Sequence, residues 1–110
     1  MAHILTLTKY IDAEPNDVAH KLEYAVGRGL DAAATRIGAL HGTVATEGID
    51  DGLRLNGGLD LLDGSELHVT GESHLTTLTI IVPWETTNNT KLLAAGAFAE
   101  TVAHEVRLAA

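Results

Sequence analysis

The stretch His74 to Trp84, HLTTLTIIVPW, constrains the chain most, because it is the longest run of β-branched and large apolar residues in the sequence. It reads as a strand whose even positions, Thr76, Leu78, Ile80, Val82 and Trp84, share one face and define the core side of a sheet. Leu75, Thr77, Thr79 and Ile81 take the opposite face. Pro83 has no backbone donor, which places it at a strand end or edge. The polar residues ETTNNT after Trp84 lead into an Ala-rich helical pattern.

The rest of the chain supplies partners for that strand. His3 to Ile11 alternates, with Leu5, Leu7 and Ile11 on one side and Thr6, Thr8 and Tyr10 on the other, which is a first strand. Pro15 suits the first turn of a helix, and Asp17 complements its dipole. Val18, Leu22, Val26 and Leu30 then form a buried stripe, with Ala19 and Ala25 beside it. Gly27 and Gly29 interrupt this pattern and predict a bend between two short helices, the second running from Leu30 to Leu40 and stopping at His41-Gly42.

From Thr43 to Gly71 short extended pieces alternate with turn signals, which predicts an antiparallel meander. Thr43 to Glu47 is its first piece. Leu53, Leu55, Leu59 and Leu61 form one strand with a bulge or curl at Gly57-Gly58. Asp63-Gly64 marks a hairpin, Glu66 to Thr70 a short strand, and Gly71-Glu72-Ser73 the turn into the long strand. At the C-terminal end Leu92, Ala95, Ala99, Val102, Val106 and Ala109 form one apolar stripe with Val102 near its centre, set to face the sheet. Glu100, His104 and Arg107 lie on the other side, and Asn88, Asn89 or Thr90 can cap the helix. The expected fold is α+β, with about five antiparallel strands packed on a C-terminal helix in the order β-α-α-β-β-β-β-α, and residues 1–110 forming a single domain.

This order, with Ile11-Asp12-Ala13-Glu14-Pro15-Asn16-Asp17-Val18 after the first strand and a long strand and helix at the end, resembles the helix-grip domains of the START and polyketide-cyclase-like (SRPBCC) superfamily. The resemblance covers the whole chain by topology and its two ends by motif. The middle, between Thr43 and Ser73, is shorter than in that family and lacks a tryptophan-containing segment. The resemblance implies a curved antiparallel sheet wrapped around the C-terminal helix, with a hydrophobic ligand held between them.

Composition narrows the partners. Seven Lys and Arg against fifteen Asp and Glu give a net charge of -8, which repels phosphate backbones and anionic membrane surfaces, so nucleic acid and membranes are not expected partners. The absence of cysteine excludes disulfides and thiolate chemistry. No segment approaches a membrane span and the N-terminus has no basic leader, which makes the cytoplasm the expected location.

Little in the chain carries chemistry. There are six histidines, yet none stands in a recognised metal-binding spacing, and Glu66, His68 and His74 around the turn at Gly71 would converge only if the register set His68 opposite His74. A polar outer face is the simpler reading, and neither a metal nor a cofactor is expected. Ser65 and Ser73 sit in ordinary turn contexts, the glycines form no phosphate-binding loop, and the paired aspartates read as turn formers. His74, on the even face of the long strand, could orient a ligand's oxygen or serve as an acid or base. Trp84 could stack on an aromatic ligand or belong to the core.

Three functions follow. The first is a small non-catalytic domain that binds an apolar small molecule or lipid between sheet and C-terminal helix, lined by His74, Leu78, Ile80, Trp84 and Val102. The second is a homodimeric structural or protein-interaction module without a ligand cavity. The third, an enzyme of the cyclase or hydratase kind using His74, ranks last because no second polar group is visibly paired with that histidine.

Overall fold

The computed structural model describes residues 3–84 and 89–108, the side chains of residues 3, 4, 84 and 108 excepted. Strand β1 (His3–Ile11) leads into helix α1 (Pro15–Ile37), followed by β2 (Val44–Ile49), β3 (Gly52–Gly57), a short 3-10 turn at Asp60–Leu62, β4 (Glu66–Glu72), β5 (Leu75–Trp84) and helix α2 (Asn89–Leu108). The fold is α+β. One antiparallel sheet of five strands has the order β1-β5-β4-β3-β2. The chain thus crosses by α1 from one sheet edge to the other and returns strand by strand, so that β5 enters beside β1. Their register runs from His3 opposite Trp84 to Ile11 opposite Thr76.

Period two sets which face of β5 is inside. Leu78, Ile80 and Val82 are fully buried, as is Thr76, whose hydroxyl donates to the Ala13 carbonyl at 2.7 Å and so meets its polar demand. Leu55 and Leu67 continue the same inner face across β3 and β4. Both helices cover it. Their buried side chains, among them Val18, Leu22, Val26 and Leu30 from α1 and Ala95, Phe98, Ala99, Val102 and Val106 from α2, join the sheet residues in one core cluster.

Helix α1 is continuous through Gly27 and Gly29, which corrects the two-helix expectation. Its C-cap is Gly38, in the left-handed conformation at φ 68°, not Gly42. Gly29 is there for close approach. A Cβ on it would lie 2.8 Å from Phe98 Cδ1 and from Val102 Cγ2, whereas a Cβ on Gly27 would meet nothing within 4 Å. The absent side chain at position 29 lets α2 rest against the α1 backbone. Ala19 is exposed, not part of the buried stripe.

On α2, Ala95, Ala99, Val102 and Val106 are buried as the stripe predicts, while Leu92 is 48% exposed and Ala109 lies outside the described residues. The buried surface is broader than one stripe. Ala94, Phe98 and Ala103 are also fully buried, and α2 makes its widest contact with α1, not with the sheet. The helix begins at Asn89, and Asn88 lies outside the described residues.

The meander departs from its pattern in two places. Leu59 and Leu61 do not extend β3: Gly57 and Gly58 take positive φ of 80° and 82°, the chain leaves the sheet, and Leu59 and Leu62 are buried beside the 3-10 turn. The Asp63 carboxylate accepts the Gly57 amide at 2.8 Å, and the Leu55 amide donates to Ser65 O at 2.8 Å, so Asp63-Gly64 closes a wide connection instead of a tight hairpin. The β4–β5 turn is Ser73-His74, two residues later than Gly71, because Glu72 already pairs with Leu75.

The two α1 glycines are expected to respond with opposite signs. Gly27→Ala should stabilise the protein by roughly 0.5 to 1 kcal/mol through helix propensity. Gly29→Val should destabilise it by about 1 to 3 kcal/mol or more through overpacking against Phe98 and Val102. Urea denaturation of both variants checks the pair; equal midpoints would mean that the helices do not touch at Gly29. Val102→Asp should abolish cooperative unfolding, since an unpaired buried charge costs several kcal/mol of a total of about 5 to 15, whereas Glu100→Gln should shift the midpoint by no more than about 0.5 kcal/mol.

Candidate functional site

Two surfaces of the sheet differ sharply in chemistry. The inner one is the core. The outer one carries the odd residues of β5, the even residues of β1 and β4, and their cross-strand partners. Register arranges these in rows: Thr6, Ile81, Glu66, Arg54 and Glu47 stand side by side, and Thr8, Thr79, His68, Gly52 and Ile49 form the next row. The β4 to β2 half is therefore charged and the β1 to β5 half uncharged.

The charged half is a chain of alternating signs. Arg54 donates from Nε and Nη2 to Glu66 Oε2 at 3.2 and 2.9 Å, and its Nη1 lies 3.6 Å from Glu47. His68 donates from Nε2 to Glu66 Oε1 at 2.9 Å and from Nδ1 to Asp51 Oδ1 at 2.5 Å. Asp51, Arg54, Glu66 and His68, together with Ile49 and Asp50, line a cleft of about 560 Å³. Partial burial by itself lowers the His68 pKa, but the hydrogen bonds to Asp51 and Glu66 and their charges outweigh it and raise the pKa above the ordinary 6.5. Glu66 is held below its ordinary 4.5 by the Arg54 hydrogen bonds first and His68 second.

With both ring nitrogens engaged by carboxylates, His68 is an imidazolium clamp and not a free base. What it clamps is the Asp50-Asp51 turn between β2 and β3, which is tied to β4 a second time by the Val69 amide donating to Asp51 O at 2.7 Å. Glu66 and His68 thus meet, as the metal alternative required, but His68 stands opposite Thr79, and His74 is an exposed turn residue. Among the described residues no three metal-capable side chains are grouped to hold an ion. Asp50-Asp51 forms the turn that its residues suggest, while the pairing of Asp51 with His68 and the part played by Arg54 escaped the sequence reading, because both depend on the β3–β4 register.

The uncharged half holds Thr6, Thr8, Thr77, Thr79 and Ile81, flanked by Tyr10 and Leu75, which are 66% and 56% exposed. At its free side α2 reaches over the β1 edge: Arg107 Nη2 donates to the Tyr10 carbonyl at 3.1 Å, and Lys9 pairs with Glu100.

Of the residues expected to line a ligand site, Leu78, Ile80 and Val102 come together, fully buried in the core cluster. His74 is not on their face, because β5 begins one residue later at Leu75. The Trp84 side chain lies outside the described residues. Ser65, the other side chain weighed for chemistry, is fully buried. In comparisons with known proteins no family model matches the chain, and no curated protein matches it in sequence.

The charged chain sets a pH dependence. A folded-state pKa above the unfolded one means that His68 stabilises fully below about pH 6.5 and loses that contribution as the pH rises through its raised value. Glu66, shifted the other way, contributes above about pH 4.5 and loses it as the pH falls through its lowered value. Stability from this cluster should be greatest between those limits. His41, raised by its hydrogen bond to Asp31, adds to the alkaline loss. His68→Gln should therefore shrink, without abolishing, the fall in Tm between mildly acidic and mildly alkaline buffer, by the equivalent of under about 1 kcal/mol. An unchanged fall in thermal melts would show that His68 carries no charge-dependent contact.

Proposed function

We propose that the chain is a protein-interaction module that works as a homodimer, joined through the uncharged half of the outer sheet face. One observation carries the reading: in a chain of net charge -8, the described side chains on the β1 to β5 half of that face are threonines, Ile81, Pro83, Tyr10 and Leu75. Acidic copies repel one another, so contact is favoured where no carboxylate must be desolvated. Tyrosine adds a large amphipathic area at small entropic cost. Contact across the face, and not along the edge, meets backbone groups already paired between β1 and β5, which leaves side-chain packing as the source of affinity.

The apolar-ligand reading, with the helix-grip relationship behind it, draws its support from topology. Leu78, Ile80, Val82, Phe98 and Val102 fill the space between sheet and α2 with one another, so a molecule placed there would have to displace close-packed side chains. The interaction reading needs no such rearrangement.

Sedimentation equilibrium at micromolar concentration should give twice the chain mass for the parent and the single mass for Tyr10→Glu and Leu75→Glu. Both positions are more than half exposed, so the monomeric variants should keep the parent's far-UV dichroism. A parent that sediments as a monomer overturns the reading, and a mass gain removed by extracting an apolar molecule would favour the ligand-binding alternative.

A further inference from the structure

On the opposite side of the sheet from the proposed dimer face, and independent of it, lies a cleft of about 390 Å³ between the first turns of α1 and the β2–β3 turn. Its apolar wall is Ala19, Leu22, Leu53 and Val69, and its rim is Asp50 and Asp51. The volume falls at the small end of the range for small-molecule sites, and an apolar wall with a few polar groups is their usual composition. The inner sheet face is incompletely covered here. Leu55 and Leu67 are fully buried, while Leu53 and Val69 remain only partly so, and Ala19 is exposed where the helical pattern would have buried it.

The rim is held in place before any ligand arrives. His68 grips one Asp51 oxygen from the outer face, and the Val69 amide grips the Asp51 carbonyl. Asp50 has no hydrogen bond or ion pair among the described residues, and no lysine, arginine or histidine lines the cleft. The nearby N-terminus of α1 contributes at most about half a positive charge, and Asp17 in its first turn offsets it. The Asp51 charge is met by the His68 imidazolium, so the unpaired Asp50 carboxylate decides the sign of the field at the rim, and the net charge of the chain adds to it. We infer that this cleft binds a small apolar amine, its ammonium at Asp50 and its hydrocarbon against Ala19, Leu53 and Val69.

Titrating the whole chain with n-hexylammonium chloride, and following amide chemical shifts at neutral pH, tests the site. Saturable shifts should concentrate at Ala19, Leu22, Asp50, Gly52, Leu53 and Val69. n-Hexanol, with the same hydrocarbon and no charge, should bind more weakly, and hexanoate should not bind there. Asp50→Asn, at an exposed turn position, should weaken the amine by roughly two- to fivefold, as an exposed ion pair allows, while leaving hexanol unchanged. Shifts that do not saturate, that map elsewhere, that hexanoate reproduces, or that Asp50→Asn leaves unaltered would overturn the assignment. Tyr10→Glu serves as a monomer control: the amine should bind it as it binds the parent, so failure of the dimer reading leaves this result separate.

Discussion

The structure depends on the pairing of its first strand with its last. Nine register pairs join β1 to β5, and between them the chain makes a helix and a three-stranded meander. Closing so long a loop costs entropy that no local contact returns, although the cost grows only slowly with length. The return comes from the inner face. Leu5, Leu7 and Ile11 of β1 extend the apolar surface that Leu78, Ile80 and Val82 begin, and both helices rest on the result. The Thr76 bond to Ala13 then fixes the end of that pair to the turn from which α1 starts.

The helices form a layer of their own, and its thickness is set by what is missing. Gly29 on α1 faces a helix that is itself rich in alanine, and Phe98 occupies the room that Gly29 leaves. Small residues bring two backbones close, so one aromatic ring suffices to fill the seam. A glycine inside a helix costs propensity wherever it stands. At position 29 the cost is recovered in contact, and at position 27 it is not.

Period two made the sheet legible from sequence alone, since the inner and outer faces of β1 and β5 follow directly from alternation, and the i+4 spacing of Val18, Leu22, Val26 and Leu30 did the same for most buried positions of α1. What escaped was set by tertiary partners. The alternating leucines 53, 55, 59 and 61 read as one strand because periodicity is blind to backbone handedness, and only the positive φ at Gly57 and Gly58 shows where the chain leaves the sheet. Gly29 read as a helix breaker because propensity is local, while the reason for it is Phe98, far along the chain. Phe98 itself fell off the expected stripe, since a helix buried against both a sheet and a second helix has no single apolar side. The same limit hid the His68 cluster. Asp51, Arg54, Glu66 and His68 are brought together by a register that no one strand encodes, and His74, one residue outside its strand, lost the face that alternation had given it.

An open sheet has two edges, and each is a template on which another strand can grow. At one of them Arg107 takes up the Tyr10 carbonyl and Lys9 is drawn to Glu100, so the end of β1 is latched under α2. At the other, β2 is short and carries Glu47, a charge that an incoming strand would have to approach. Addition of strands edge to edge repeats without limit, whereas contact across a two-fold axis uses up the surface that made it. With its edges guarded, the sheet is turned away from the open-ended growth that ends in fibres.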